Sequence, residues 1–408
     1  MSSTSIHRIG SARIKFACRY FMGDKPCRFS KEKGIKCDDC VYFDPPGEKA
    51  LIIKLGAPGD VLRTTPLLIE IKRKNPKTFI TWITEKDSFP LLQDNPLIDR
   101  LWDTSSETLT RLQIETFDVI FSLENAVKCA SLATIAQCTT KVGYGLSPEG
   151  WLIPFNKEAE TYLEMAVFDD VKKANTRTYQ DLVFEICGYT FNPALHKMIL
   201  PLAQEEKEFA AAFGRRNGIS QRKNVIGINV ASGARWPMKR WGTNSYTALI
   251  EILRRELNLT VILLGGPEEV EANKEIQRSL ATQGITVIDA RCDNPLRKFI
   301  ALVSLCDTVV TGDTLALHIA VALEKNAIAL FGPTSATEIE LYGRGTKVVA
   351  NVPCQCCYRK ECTVTPNCMA SITIGEVLTA VKASVRVTSE IISTGLMATD
   401  NLMSVSAA

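Results

Sequence analysis

The sequence contains no hydrophobic run long enough to cross a membrane. Its longest apolar stretches, Phe299–Cys306 and Ala327–Phe331, are far shorter than the roughly 20 residues that a membrane helix needs. Met1–Arg13 has no apolar segment of the kind found in a secretory signal. The formal net charge of +3 over 408 residues is too small to indicate a nucleic-acid partner. These absences predict a cytoplasmic protein and leave open a peripheral position on a membrane surface.

A dinucleotide fingerprint is also absent from the first strand–turn–helix segment, Ala50–Leu68. This segment is interpreted as a buried strand (Leu51–Leu55), a tight turn (Gly56–Gly59) and a helix that begins near Asp60. The turn lacks the G-x-G-x-x-G spacing, and no acidic ribose partner follows at the expected distance. The unpaired N–H groups at such a helix start still make the segment a typical ligand site. Asp60 is therefore either a functional carboxylate or the N-cap of the helix.

The overall composition and the alternation of predicted strands and helices indicate a two-domain α/β protein. The chain has 46% hydrophobic and 23% charged residues, which is typical of globular proteins, and its length exceeds a single typical core. Apolar strands alternate with amphipathic helices, including an unbroken helix predicted over Asp60–Lys74 and a last helix over Ile372–Val387. Alternation of this kind predicts two parallel sheets facing each other across a cleft, with the active site at the carboxyl ends of the strands. The predicted divisions are a Cys-rich extension (1–46), a first α/β domain (47–201), a second α/β domain (202–387) with a Cys-rich loop (354–368), and a mobile tail (388–408).

A basic loop, Ser232–Trp241, follows the first predicted strand of the second domain. The hydroxyl of Ser232, the backbone N–H of Gly233 and the ammonium of Lys239 are groups that bind phosphate oxygens. In this position they would form a clamp for a departing diphosphate. The alternative interpretation is a solvated basic loop held by its tryptophans.

Three more strand–turn–helix junctions occur in the second domain, at LLGGPE, TGDTLALH and FGPT. Glu268 in the first junction either accepts from ribose hydroxyls or caps the next helix. In the second, Asp313 and Thr314 are either N-cap residues or ligand contacts, and His318 is either structural or a ligand contact. Several helix N-termini meeting at one cleft would suit an anionic ligand.

The ordered set of motifs resembles the heptosyltransferase family of glycosyltransferases, family 9, which has the GT-B fold. The resemblance covers about Ala50 to Val381. It rests on six segments: LIIKLGAPGDVLRTTPLL, KRW, GGPEE, GDTLALHIAVAL, FGPT and CCYRKECTVTPNCM. One departure is Leu315, where many members of the family carry glycine.

The resemblance implies an inverting, metal-independent transfer of heptose from ADP-heptose to the lipopolysaccharide core or another cell-surface glycan precursor. The acceptor would bind the first domain and the nucleotide sugar the second. Asp60 would be the catalytic base, Lys239 the phosphate-binding cation, and Asp313, Thr314 and His318 the donor contacts. The implied partners are the nucleotide sugar and a glycan or glycolipid acceptor, at the cytoplasmic face of the inner membrane and without nucleic acid. Two alternatives stay open: a family 9 enzyme with a different donor, and a catalytically idle scaffold.

Nine of the fourteen cysteines fall into two clusters, one near each end of the chain. The first cluster is Cys18, Cys27, Cys37 and Cys40. Four thiolates in a segment with few apolar residues suit a tetrahedral zinc ion, which would supply folding energy. An iron–sulfur cluster or four uncoordinated thiols are the alternatives. The extension that carries this cluster is not part of the usual heptosyltransferase pattern.

Overall fold

A computed structural model of the protein describes residues 13–219, 224–230 and 237–385. Ser232, Gly233 and the tail from residue 388 therefore lie outside the described residues. No helix in the described ranges is long and apolar enough to span a bilayer.

The first sheet has six strands in the order β3-β2-β1-β4-β5-β6. All neighbours are parallel except β5 and β6, which are antiparallel. β1 and β2 are buried almost end to end, as expected for central strands that are covered on both faces. The strands are β1 (Lys49–Ile53), β2 (Phe79–Ile83), β3 (Arg100–Trp102), β4 (Thr116–Ser122), β5 (Gln137–Leu146) and β6 (Leu152–Pro154).

The second sheet repeats this topology with all neighbours parallel, in the order β12-β11-β10-β7-β8-β9. Both orders are the doubly wound arrangement of Rossmann-like domains, in which the strand order reverses beside the first strand. The predicted α/β fold with two facing Rossmann-like units is confirmed. The strands are β7 (Val225–Asn229), β8 (Thr260–Leu264), β9 (Ile288–Asp289), β10 (Thr308–Gly312), β11 (Asn326–Phe331) and β12 (Gly345–Val349).

Helices cover both sheets, and the last helix within the described ranges, α16, begins at residue 374 and continues to residue 385, where the described part of the chain ends. The helices of the first part of the chain are α1 (Arg28–Lys33), α2 (Pro58–Thr64), α3 (Pro66–Lys74), α4 (Phe89–Leu92), α5 (Ser106–Ile114), α6 (Val127–Ile135), α7 (Lys157–Val167), α8 (Asp169–Ala174) and α9 (Tyr179–Ile186). Those that follow are α10 (Gln204–Arg216), α11 (Thr243–Arg255), α12 (Val270–Thr282), α13 (Leu296–Val303), α14 (Leu315–Ala322) and α15 (Cys368–Ser371).

The prediction of one unbroken helix over Asp60–Lys74 is wrong, because the helix divides at Thr65. Pro66 has no N–H and cannot donate to the carbonyl of Leu62. The N–H of Thr65 donates to that carbonyl instead, over 3.2 Å. The short α2 that results carries Asp60 and Arg63 at the contact between the two units.

The two units share a hydrophobic core. One cluster of the second unit, built on β7, β8, β10 and β11, also contains Leu62 from α2 and Leu91 from α4. Both of these leucines are fully buried. The second unit therefore holds α2 in place by apolar burial, and this contact fixes the position of Asp60 relative to the second sheet.

The Cys-rich extension packs at the amino ends of the first sheet's strands. Arg19 donates to Asp99 Oδ1 (3.1 Å) and to the carbonyl of Lys77 (2.9 Å). Lys77 and Asp99 lie just before β2 and β3, whereas Asp60 follows the carboxyl end of β1. The extension thus contacts the predicted acceptor domain on the edge opposite Asp60.

Candidate active site

Three of the predicted site residues, Asp60, Lys239 and Asp313, lie where the strand order of each sheet reverses, whereas Glu268 follows β8, one strand away. In the first unit, Asp60 follows β1 and Glu124 follows the neighbouring β4. In the second unit, Lys239 follows β7 and Asp313 follows the neighbouring β10. Ligands of doubly wound sheets bind in the crevice at this reversal, outside the carboxyl ends of the strands. Both crevices open toward each other, because α2 and α14 are in contact.

Asp60 is the third residue of α2, and the N-cap position belongs to Ala57. The N-cap interpretation of Asp60 is therefore wrong. Its Oδ1 accepts from Arg63 Nη2 over 2.7 Å, and its Oδ2 lies 4.0 Å from Lys54 Nζ. Burial acts to raise the pKa of Asp60, but Arg63 and Lys54 outweigh it and hold that pKa below the usual value. The side chain is ionised near neutral pH and keeps about 35% of its surface exposed, so it can accept a proton.

Arg63 connects this carboxylate to the second unit. Its guanidinium lies 4.0 Å from the centre of the Tyr179 ring, and its Nη1 donates to the carbonyl of Glu338 over 3.4 Å. The N–H of Tyr179 donates to the same carbonyl over 3.0 Å. Arg63 is buried, so its charge acts on Asp60 with little screening by water.

Lys239 and Asp313 form a close ion pair in the second unit. Lys239 Nζ donates to Asp313 Oδ2 over 2.6 Å and to the Asp313 carbonyl over 3.3 Å. Burial opposes ionisation of Asp313, but Lys239 outweighs it and lowers the pKa of the carboxyl. The structure thus places a cation beside the carboxyl end of β10, where α14 begins.

His318 lies between Asp313 and the α2 helix. Its Nε2 is 3.9 Å from Asp313 Oδ1, and its ring packs on the backbone of Gly59, the residue before Asp60. Burial, with a contribution from Arg63, lowers the pKa of His318 to about 4. The imidazole is therefore neutral at physiological pH, with one ring nitrogen that can donate and one that can accept.

Thr314 is the N-cap residue of α14, but its side chain does not cap the helix. Its hydroxyl pairs with the hydroxyl of Thr311 over 2.9 Å, and Thr311 Oγ1 also accepts from the amide of Asn229. Leu315, where many family members carry glycine, is partly buried against the core.

Glu268 lies in the turn after β8 and is exposed. The helix-cap interpretation of this residue is wrong, because the neighbouring Glu269 performs that role. Glu269 Oε2 accepts from the N–H of Gly266 over 2.6 Å. Glu268 remains an exposed carboxylate near the carboxyl end of β8.

Sequence reasoning missed Lys54, Arg63 and Glu124. A signal for two of them was present: Lys54 interrupts an apolar strand run, and Glu124 directly follows the buried β4. Neighbouring parallel strands end at the same edge of a sheet, so these two residues are expected to meet. Arg63 has no comparable signal, since an arginine one turn after Asp60 is ordinary on a helix surface.

The four cysteines of the extension line a single cavity of about 340 Å³. All of them are free thiols. Within the described ranges, however, no group of three or more His, Cys, Asp or Glu side chains is arranged to hold a metal ion. The second cysteine cluster lies elsewhere and consists of Cys354, Cys356, Cys357, Cys362 and Cys368. Of these, Cys368 packs on Gly332, directly after β11.

The sequence matches the profile of glycosyltransferase family 9 (heptosyltransferase) over residues 107–367. The matched range includes Lys239, Asp313 and His318 and begins after Asp60. Lipopolysaccharide heptosyltransferase 2 of Escherichia coli is 27% identical over 315 residues, which cover 70% of this chain and 83% of that protein. Lipooligosaccharide heptosyltransferase 2 of Haemophilus influenzae is 24% identical over 307 residues, with the same coverage of 70% and 83%.

Solved structures with a similar fold include two proteins of low sequence identity. A family 9 glycosyltransferase from Veillonella parvula has a TM-score of 0.62 at 16% identity, and the match covers 83% of this chain and 97% of that one. The ADP-heptose lipopolysaccharide heptosyltransferase II of E. coli has a TM-score of 0.61 at 19% identity, and the match covers 83% and 98%. These likenesses support the two-unit fold.

Proposed function

The chain belongs to glycosyltransferase family 9, and from this we propose that it transfers heptose from ADP-heptose to a lipopolysaccharide core or related cell-surface glycan precursor, with inversion at the anomeric carbon. Its relatives in E. coli and H. influenzae are named as heptosyltransferases of lipopolysaccharide and lipooligosaccharide. The observation that carries the proposal is that an ionised, partly exposed Asp60 and a partly buried Lys239 lie at the facing ends of the two sheets. A base and a diphosphate-binding cation are the two groups that such a transfer needs.

We assign the two substrates to different units. The acceptor would bind the unit predicted at 47–201, which carries Asp60, and the nucleotide sugar would bind the unit predicted at 202–387, which carries Lys239. The ends of both sheets then present the reacting groups to each other. This arrangement holds the attacking hydroxyl and the anomeric carbon in one geometry, which accounts for much of the rate of such reactions.

In the proposed reaction the acceptor oxygen bonds to the anomeric carbon as the bond from that carbon to the diphosphate oxygen breaks. The acceptor's proton passes to Asp60, and the electron pair of the broken bond leaves with ADP. Asp60 is suited to this step because Arg63 and Lys54 keep it ionised. The attack and the departure occur on opposite faces of the sugar, so the anomeric configuration inverts.

Lys239 would neutralise the charge that develops on the diphosphate. Phosphate oxygens can take the ammonium over from Asp313, whose carboxylate holds it at 2.6 Å. The neutral His318 and the hydroxyl of Thr314 would donate to the phosphates or the sugar. Glu268 would accept from the ribose hydroxyls, and Ser232 and Gly233 complete the proposed clamp. Because Lys239 supplies the positive charge, the proposal includes no catalytic cofactor.

We place the reaction in the cytoplasm, with the acceptor presented at the inner membrane. Three basic residues, Lys72–Lys74, end α3. They do not carry the membrane part of this proposal, because the first two pair with carboxylates of the protein. Lys72 donates to Asp99 over 3.0 Å, and Arg73 donates to Glu70 over 2.7 Å.

A structural zinc ion in the extension is a separate proposal. It is supported by the shared cavity of Cys18, Cys27, Cys37 and Cys40 and by the lack of buried residues in α1. Elemental analysis of gently purified protein should give about one zinc per chain by the usual four-thiolate stoichiometry, and Cys37→Ser should lower it while Cys138→Ser should not. Iron with visible absorption would indicate a cluster instead, and protein without metal would reject the proposal.

Calorimetric binding of ADP, UDP, GDP and CMP to the wild-type protein tests the proposed donor. Selective binding of ADP is the expected result. Selective binding of UDP or GDP would keep the fold and mechanism and replace the donor. Binding of none of the four would favour the idle scaffold.

A further inference from the structure

Lys54 places a buried ammonium directly behind the catalytic turn. It follows the last residue of β1, and its side chain is only about 5% exposed. Its Nζ donates to the carbonyl of Gly56 over 2.6 Å and lies 3.4 Å from Glu124 Oε2 and 4.0 Å from Asp60 Oδ2. Gly56 belongs to the turn, Asp60 is the proposed base, and Glu124 anchors the turn.

Glu124 is the anchor of this arrangement. Its Oε2 accepts from the N–H of Leu55 over 3.0 Å and from the N–H of Gly56 over 3.1 Å, in addition to its contact with Lys54. Hydrogen bonds to an ionised acceptor are about twice as strong as neutral ones. The carboxylate therefore fixes both the backbone of the turn and the ammonium beside it.

We propose that Lys54, held by Glu124, is a positioning residue that fixes the second oxygen of Asp60 while Arg63 fixes the first. The inference deepens the proposed function and rests on Asp60 being the base. It assigns a role to an ion pair that the fold alone does not require, since a pair of well-packed hydrophobic residues is often no less stable than a buried ion pair.

The two cations act on Asp60 from opposite sides. Arg63 reaches Oδ1 from α2, and Lys54 reaches Oδ2 from the sheet. The other titratable groups that act on Asp60 come from four further elements. They are Tyr162 on α7, Tyr179 on α9, His318 on α14 and Glu338 after β11.

Loss of the Lys54 ammonium should raise the pKa of Asp60. An opposite charge within about 4–6 Å lowers the pKa of a carboxyl by roughly 1–3 units. Without Lys54, the pKa of Asp60 rises, and protons inactivate the base at a higher pH. The acidic limb of the pH profile for kcat/KM therefore moves upward.

The test compares wild type, Lys54→Met and the double variant Lys54→Met/Glu124→Gln. The double variant removes both charges, so it leaves no carboxylate buried without its cation if the single variant fails to fold. We expect the acidic limb to move up by about one pH unit in Lys54→Met, and by less in the double variant, which also removes the negative charge of Glu124. In both variants kcat should be reduced and the KM for ADP-heptose unchanged. Lys49→Met, at the exposed start of the same strand, should leave the profile unchanged. An unmoved acidic limb in a folded Lys54 variant would overturn the inference.

Asp60→Asn, measured in parallel, separates the two proposals. If this variant keeps wild-type turnover, the proposed base is wrong. If it loses turnover while the Lys54 variants keep the wild-type pH profile, the base assignment stands and only the role of Lys54 fails.

Discussion

The imidazole of His318 packs directly on the α-carbon of Gly59. A Cβ at this glycine would lie 2.5 Å from His318 Cδ2, closer than side chains approach one another in folded proteins. The contact joins α2 of the first unit to α14 of the second. In the Gly-Asp pair, therefore, the glycine permits the close approach of the two units and Asp60 supplies the carboxylate.

Gly59→Ala should reduce activity without unfolding the protein. The added methyl group must displace His318 or move α2, and a shift of about 1 Å near reacting groups can cost as much as 100-fold in rate. We expect kcat to fall about 10-fold to 100-fold in a transferase assay. Gly375→Ala is the matched control, because a Cβ at Gly375 meets nothing within 4 Å. Full activity in Gly59→Ala would show that the contact is not needed.

Lys239→Met should weaken donor binding. Hydrogen bonds to charged groups contribute about 1.5–3 kcal/mol, so the affinity for ADP should fall roughly 10-fold to 100-fold in calorimetry. Lys274→Met, which removes an exposed lysine paired with Glu271, controls for the change in net charge. Equal ADP affinity in Lys239→Met and wild type would exclude Lys239 from the donor site.

His318 should stay neutral well below the usual titration range of histidine. Because burial lowers its pKa to about 4, the folded state binds fewer protons than the unfolded state between that value and the usual pKa near 6.5. Its contribution to stability is therefore present above about pH 6.5 and is lost as the pH falls toward 4. The chain has three histidines, so imidazole NMR can follow this one, identified by its loss in His318→Gln. A midpoint near 6.5 would contradict the buried position.

Arg63→Lys should impair turnover even though it keeps the charge. A lysine lacks the planar fork with which Arg63 contacts Asp60 and the Glu338 carbonyl while it stacks on Tyr179. We expect kcat to fall about 10-fold, since misplaced reacting groups lose rate steeply. Arg73→Lys is the control: Arg73 also pairs with a carboxylate three residues earlier, but its own side chain is about 53% exposed. If both variants are equally active, the charge of Arg63 is sufficient and its geometry is not needed.

The central strands and the strand–turn–helix junctions after β1, β8 and β10 could be predicted from sequence because they leave strong local signals, whereas the junction predicted at FGPT is wrong, because β12 and not a helix follows β11. β1 and β2 are continuous apolar runs, and the turn at Gly56 follows one of them directly. The edge strands β3, β6 and β12 could not be predicted, since β3 and β6 have only three residues each and β12 is mostly exposed, so that their apolar pattern is weak. Their pairing depends on neighbours that are distant in sequence.

The residues of the candidate site also differ in how well the sequence predicts them. Asp60, Lys239, Asp313 and His318 lie at junctions that sequence identifies, and the structure brings them together. The ion pairs around Asp60 depend on side chains from separate elements, and the packing of α2 on the second unit brings these elements together. The split of the helix at Pro66 could have been predicted, because proline inside a helical pattern removes a backbone hydrogen bond.

The most direct test of the account is the transfer of heptose from ADP-heptose to heptose-deficient lipopolysaccharide by wild type and Asp60→Asn, with ADP affinity measured on both proteins. The wild type should form the product. Asp60→Asn should lose about 10²–10⁴-fold in turnover, the usual contribution of a general base, while it binds ADP as the wild type does. Turnover in Asp60→Asn equal to that of the wild type would contradict the central claim that Asp60 is the base.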